Sequence, residues 1–124
     1  MPERSLLEGI TVLDLASVGP AVRASRWLAD WGADVVKVGP VPKDAGVQIV
    51  PPAYAYSAQR GMRRVLLDLR SDGGREAFLR LAATVDVVIE SFRPGVVDRL
   101  GIGFDDVSAV NPGVVYCSTT GYGQ

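Results

Sequence analysis

The sequence predicts an α/β domain built on a parallel β-sheet. Three observations carry that prediction. Short apolar, β-branched runs recur along the chain, a stretch with helical spacing separates the first two, and the joins between them are short. Strand, helix and strand linked in this way form a βαβ unit, which implies parallel strands and a right-handed crossover.

The elements follow in order. Ile10 to Ala16 (ITVLDLA) is the first strand, interrupted by Asp14, and Ser17-Val18-Gly19-Pro20 is the loop after it. Ala21 to Trp31 has helical spacing, with Val22, Trp27, Leu28 and Trp31 as apolar positions and Arg23, Arg26 and Asp30 as polar ones. Gly32 is suited to stop that helix. Asp34 to Val38 (DVVKV) is the second strand.

Gly39 to Ala58 carries Pro40, Pro42, Pro51 and Pro52 and reads as a long irregular segment, either a functional loop or a surface excursion. Arg60 to Arg64 (RGMRR) is a basic cluster, either a solvated strand entrance or an anion-binding edge. Val65 to Leu69 is the third strand. Ser71 is placed to cap a helix running to about Ala83, with Asp72 near its positive end and Phe78, Leu81 and Ala82 facing inward.

Val85 to Ile89 is a fourth strand, buried by its composition, and it meets Glu90, Ser91, Phe92, Arg93, Pro94 and Gly95. Pro94 disfavours helix at Arg93 and is suited to open the next one. Val96 to Leu100 is a short helix ended by Gly101, and Phe104 to Val110 another, stopped before Pro112. Val114 to Thr119 is the fifth strand. Open α/β sheets hold ligands in the loops at the carboxyl ends of their strands. The polar and aromatic loop after the fourth strand is therefore the best candidate for a ligand site.

Composition excludes several chemistries. The 124 residues suffice for one core, and 48% apolar with 22% charged residues marks a globular chain. A net charge of -1 gives no argument for nucleic-acid or membrane binding. The apolar runs fall short of the roughly 18–20 residues of a membrane span. The amino terminus lacks a signal-peptide pattern, and the lone Cys117 fits a reducing compartment, so a cytoplasmic location is expected. With no histidine in the chain, a histidine base, triad or metal ligand is excluded, and no metal site is expected.

The individual residues carry modest signals. Gly101-Ile102-Gly103 and Gly121-Tyr122-Gly123 are fragments of a glycine fingerprint without its remainder. Asp14 and Asp68 lie inside apolar strands, where they are expected to face solvent or pair with an arginine. Cys117 reads as an inert buried thiol, and Trp27 and Trp31 as packing residues. Composition and spacing do not name a ligand.

The order of segments goes further. LLEGITVLDLASVGP (6–20), LADWGADVVKV (28–38), RRVLLDLRSDGGREAF (63–78), VDVVIESFRPGVVDRLGIGFDDV (85–107) and NPGVVYCSTTGYGQ (111–124) together resemble the amino-terminal part of the family III coenzyme A transferases. That family also includes α-methylacyl-CoA racemase. FRPGVVDRLG and the terminal TGYGQ are the most specific parts.

The resemblance implies a Rossmann-like large domain with flanking helices, a smaller domain, and an interlocked homodimer. It implies coenzyme A, as acyl-CoA, and a carboxylic acid as partners, with no nucleic acid, membrane or metal. In transferases an aspartate carboxylate attacks the thioester, giving an acyl anhydride and then an enzyme–CoA thioester. The racemase branch moves the proton α to the thioester carbonyl with a histidine and an aspartate. A non-catalytic CoA-binding or interaction segment is the alternative from another class.

By position, Val18 matches a CoA contact, and Leu67, Leu69 and Arg70 match a segment along the adenosine and pantetheine. Ser91, Phe92 and Arg93 match a loop that lines the cofactor, and Arg99 an arginine near the CoA phosphates. Gly121 to Gln124 matches a glycine-rich loop near the active site. The chain departs from the family at Gly39-Pro40 for glutamate-proline, at Gln59-Arg60-Gly61-Met62 for Asn-Arg-Gly-Lys, and at Ser91 for the asparagine of ENF. The catalytic aspartate, and the racemase histidine, belong to a later part of the family sequence. No catalytic residue is expected within these residues, and the remaining expectation is a fragment, a short reading frame or one piece of a split protein completed by a complementary chain.

Overall fold

In the computed structural model the protein is described over residues 3–16, 19–42 and 60–124. Val18 and most of the proline-rich segment (43–59) lie outside the described residues.

Five strands form one parallel sheet: β1 (Thr11–Asp14), β2 (Asp34–Gly39), β3 (Arg63–Leu66), β4 (Val87–Glu90) and β5 (Val115–Ser118). Four helices accompany them: α1 (Pro20–Asp30), α2 (Asp72–Ala82), α3 (Val96–Leu100) and α4 (Phe104–Val110). The spatial order is β3-β2-β1-β4-β5, every neighbouring pair being parallel. Successive strands run outward from β1 on one side and from β4 on the other. The order therefore reverses between β1 and β4, where Leu13 lies beside Val88 and Asp14 beside Ile89.

Alternation along the strands divides the core into two layers. Val12, Val35 and Ile89 face α1 and pack with its Ala21 and Val22. Leu13, Val38 and Val88 face the opposite way and pack with Phe78 and Ala82 of α2, Val97 of α3 and Val107 of α4. Phe78 has no exposed surface, and its truncation to alanine would cost about 3–5 kcal/mol. In open α/β sheets such a reversal, beyond the carboxyl ends of the strands, is where ligands are held.

Local chemistry sets the boundaries. Pro20 opens α1, and Gly32, at a φ of 100, follows its end. The Ser71 hydroxyl accepts the Gly74 N–H at 3.0 Å and caps α2. Gly95, in the left-handed conformation at φ 83, turns the chain into α3. Asn111 donates to the Ala82 and Val85 carbonyls at 2.9 and 2.7 Å, tying the end of α4 to the end of α2.

Several expectations are corrected. The third strand begins at Arg63 and ends at Leu66, because Val36 pairs with Arg63 and the Asp68 turn stops the ladder. Leu67 and Leu69 thus belong to the loop after β3. The fourth strand starts at Val87 and includes Glu90, which pairs in register with Ser118. Asp14 neither faces solvent nor meets an arginine; it is buried and paired with Lys37. Asp68 is an exposed turn residue rather than a strand residue.

Trp27 and Trp31 are 55% and 50% exposed and stack on one another at 6.2 Å instead of entering the core. The buried side of α1 is Ala21, Val22 and Ser25, continued by Leu28 and Ala29, and at 3.6 residues per turn the tryptophans fall off it. Cys117 is exposed: it alternates with Tyr116, which packs in the α2 layer, and so stands on the opposite face, where α1 packs over β2 and β4. No helix among the described residues is long and apolar enough to cross a membrane.

Candidate functional site

The carboxyl ends of β3 and β4 supply the candidate residues. After β3, Leu67 continues the ladder by donating its N–H to the Gly39 carbonyl at 3.0 Å. The chain then turns on Asp68. Its carboxylate accepts the Arg70 N–H at 3.1 Å, and its carbonyl accepts the Ser71 hydroxyl at 2.8 Å. Gly74 is required beneath this turn, since a Cβ there would collide with the Asp68 carbonyl. Leu67 and Leu69 are held half-buried against the α2 core layer, and Arg70 is left exposed.

After β4, the chain turns on Glu90. Its carboxylate accepts the Phe92 N–H at 2.8 Å. Phe92 packs half-buried against the same layer as Leu67 and Leu69. Ser91 is half-buried and Arg93 exposed. The Arg93 carbonyl accepts the Val96 N–H at 3.1 Å, which closes the turn into α3. Arg99, one turn into α3, folds back so that its Nη1 would lie 3.5 Å from a Cβ on Gly95.

Leu67, Leu69 and Phe92 are each half-buried against the α2 layer, at the carboxyl ends of β3 and β4, two strands that β2 and β1 separate in the sheet; Ser91, Arg93 and Arg99 follow β4 and Arg70 follows β3. Among the described residues, Arg70, Arg93 and Arg99 have no carboxylate within ion-pair distance. Arg63 and Arg75 are committed to Asp34 and Asp72. Arg63 also lies at the amino-terminal end of β3, so it fits the solvated strand entrance rather than an anion-binding edge at the site. Half-buried apolar residues and guanidinium groups on loops at the same end of the sheet suit an elongated ligand with a weakly polar body and anionic groups. Residues 121–124 are exposed. A groove of about 440 Å³ beside α2, lined in part by Arg75, Leu79, Arg80 and Val110, holds none of the candidate residues.

Two buried features escape composition and spacing. The Lys37 ammonium lies 3.2 Å from the Asp14 carboxylate, and the two side chains are 5% and 0% exposed. The other Asp14 oxygen accepts the Ala16 N–H at 2.7 Å. Burial holds the Lys37 ammonium below its ordinary value, against the opposing pull of the Asp14 charge. A signal was present: Asp14 and Lys37, of opposite sign, interrupt the apolar runs of two adjacent strands and fall in register.

The second feature is Glu90, 1% exposed, with no ion-pair partner among the described residues. Tyr116 senses it. Burial, then the charges of Glu90, Asp98 and Asp106, holds the Tyr116 phenol far above its ordinary range. The phenol therefore stays a donor, and it reaches the Ile102 carbonyl at 2.9 Å. Beyond β5, the Thr120 hydroxyl is buried without a hydrogen-bond partner among the described residues.

Comparison with known proteins shows the family and the fold. The profile of CoA-transferase family III matches residues 7–124. The succinate–glutarate CoA-transferase of Agrobacterium fabrum is 36% identical, over 100% of this chain and 34% of the relative. The crystal structure of a CAIB/BAIF family protein from Brucella suis superposes with a TM-score of 0.82 at 35% identity, covering 94% of this chain and 33% of that one. The structure of Rv3272 from Mycobacterium tuberculosis gives 0.80 at 38% identity, with 96% and 34% covered. The chain spans about a third of the length of the curated relatives it matches. With its profile, its relatives and its fold in agreement over nearly the whole chain, this protein belongs to CoA-transferase family III.

Proposed function

We propose that this chain is the amino-terminal, CoA-holding part of the large domain of an acyl-CoA transferase. In this reading Leu67, Leu69 and Phe92 lie against the pantetheine and adenosine, with Ser91 beside them. Arg70, Arg93 and Arg99 receive the phosphates, and Val18 contributes from the loop after β1. The observation that carries the reading is that three half-buried apolar residues, and three arginines without an ion pair among the described residues, stand on loops at the carboxyl end of the sheet within the span of the family match.

The reaction proposed for the whole protein moves CoA between two carboxylic acids through an aspartyl anhydride and an enzyme–CoA thioester. The residues of this chain bind and orient the acyl-CoA; none is assigned as the nucleophile. A homodimer is the assembly we propose. The matched relatives named above support a transferase over a racemase, since the one with a printed activity is a CoA-transferase.

Isothermal titration of the 124-residue chain with CoA tests the binding claim. Saturable binding with one site supports it. No heat or shift at millimolar CoA overturns it for this chain.

A further inference from the structure

The two strands flanking the reversal end alike. Asp14 closes β1 and Glu90 closes β4, and the two are 0% and 1% exposed. Each carboxylate accepts the backbone N–H two residues further on, Ala16 at 2.7 Å and Phe92 at 2.8 Å. The strands lie side by side, with Asp14 level with Ile89, and Leu15 donating its N–H to the Ile89 carbonyl at 2.8 Å. Strand alternation puts Asp14 on the face of Val12 and Glu90 on the face of Val88. Each carboxylate thus lies on the face to which its own chain departs, towards α1 and towards α3.

A buried carboxylate is costly unless something compensates it. Asp14 has Lys37. Among the described residues Glu90 has no ion pair, and its carboxylate accepts one hydrogen bond, from the Phe92 N–H. An apolar side chain would fill the same place at less cost. The carboxylate is therefore explained by the bond it makes, which bends the chain immediately before the residues that face the site.

We propose that Glu90 is a positioning residue: its buried carboxylate, by accepting the Phe92 N–H, sets the direction in which the chain leaves β4 and so fixes Ser91, Phe92 and Arg93 for the ligand. The ligand part of this inference rests on the CoA-site reading above; the loop part does not.

Two variants separate the acceptor from the volume it fills. Glu90→Met keeps a similar size and has no strong acceptor. Glu90→Gln keeps the size and one carbonyl oxygen. Amide exchange at Phe92, compared with Val88 in the same protein, reads the bond directly. The expected result is exchange about tenfold faster or more at Phe92 in Glu90→Met, with Val88 unchanged, and near wild-type exchange in Glu90→Gln. CoA affinity is expected to fall about fivefold or more in Glu90→Met and to be restored largely in Glu90→Gln. Wild-type exchange at Phe92 in Glu90→Met overturns the proposal, as does Glu90→Gln exchanging as fast as Glu90→Met. If the wild-type chain binds no CoA, the cofactor reading fails, and the exchange comparison still decides the role of Glu90.

Discussion

Removing Lys37 while leaving Asp14 strands a carboxylate inside the protein. The two groups lie 3.2 Å apart with side chains 5% and 0% exposed, so water cannot replace the lost ammonium without opening the sheet. Among the described residues, the Asp14 carboxylate would keep only the Ala16 N–H. Breaking a buried pair from one side costs about 3–5 kcal/mol. Against a total stability of about 5–15 kcal/mol for a small domain, Lys37→Met is expected to bring the protein close to unfolding. The double variant Asp14→Leu/Lys37→Met leaves no uncompensated charge, and it should recover most of the loss, less about 1 kcal/mol for the Ala16 hydrogen bond. Urea unfolding of the wild type, both single variants and the double variant gives the coupling directly. A Lys37→Met loss below about 1 kcal/mol, or single effects that simply add, would refute the reasoning.

Three other outcomes are expected. Arg99→Ala should weaken CoA binding by about 1.5–3 kcal/mol, the scale of a charged hydrogen bond, and equal affinities for CoA and dephospho-CoA would count against a role at the 3′-phosphate. Asp86 accepts the Thr11 N–H at 2.8 Å and its hydroxyl at 3.0 Å, and these bonds hold its carboxyl below the ordinary value of 3.8. Its contribution is complete above that value and is lost as pH falls through the lower folded value, so Asp86→Asn should lower stability at neutral pH, leave it unchanged in strong acid, and thereby flatten the acid limb of stability against pH. Ser71→Ala should cost about 1 kcal/mol, seen as a lower urea midpoint at constant slope, since the Gly74 N–H loses its acceptor.

The periodic parts of the fold were legible in the sequence. α3 and α4 coincide with the predicted spans, since Gly95, Gly101 and Asn111 mark their limits by local chemistry. Strand ends were less legible. They are decided by partners distant in sequence, as when the pairing of Val36 with Arg63 draws β3 two residues earlier than its apolar run. The tryptophans of α1 misled for a related reason: hydrophobicity marks a residue as apolar, and only the helix phase decides which side reaches the sheet.

At the site, the loop after β4 was read from its strand-to-loop transition, and the family resemblance supplied the ligand. The buried state of Glu90 was not readable, because a carboxylate next to serine and phenylalanine looks like part of a solvated loop. Its burial follows from the pairing of Glu90 with Ser118 and from the packing of the α2 layer beneath it. The Asp14–Lys37 pair required both strands to be read together, in register.

The central claim is that the loops after β3 and β4 hold CoA. The most direct measurement is the map of backbone amide shifts as CoA is titrated into the isotopically labelled 124-residue chain. The account predicts saturable changes concentrated at Leu67, Leu69, Arg70, Ser91, Phe92, Arg93 and Arg99, with the exposed outer face of α1 around Trp27 unaffected. Changes centred on α1, or none at millimolar CoA, would contradict it.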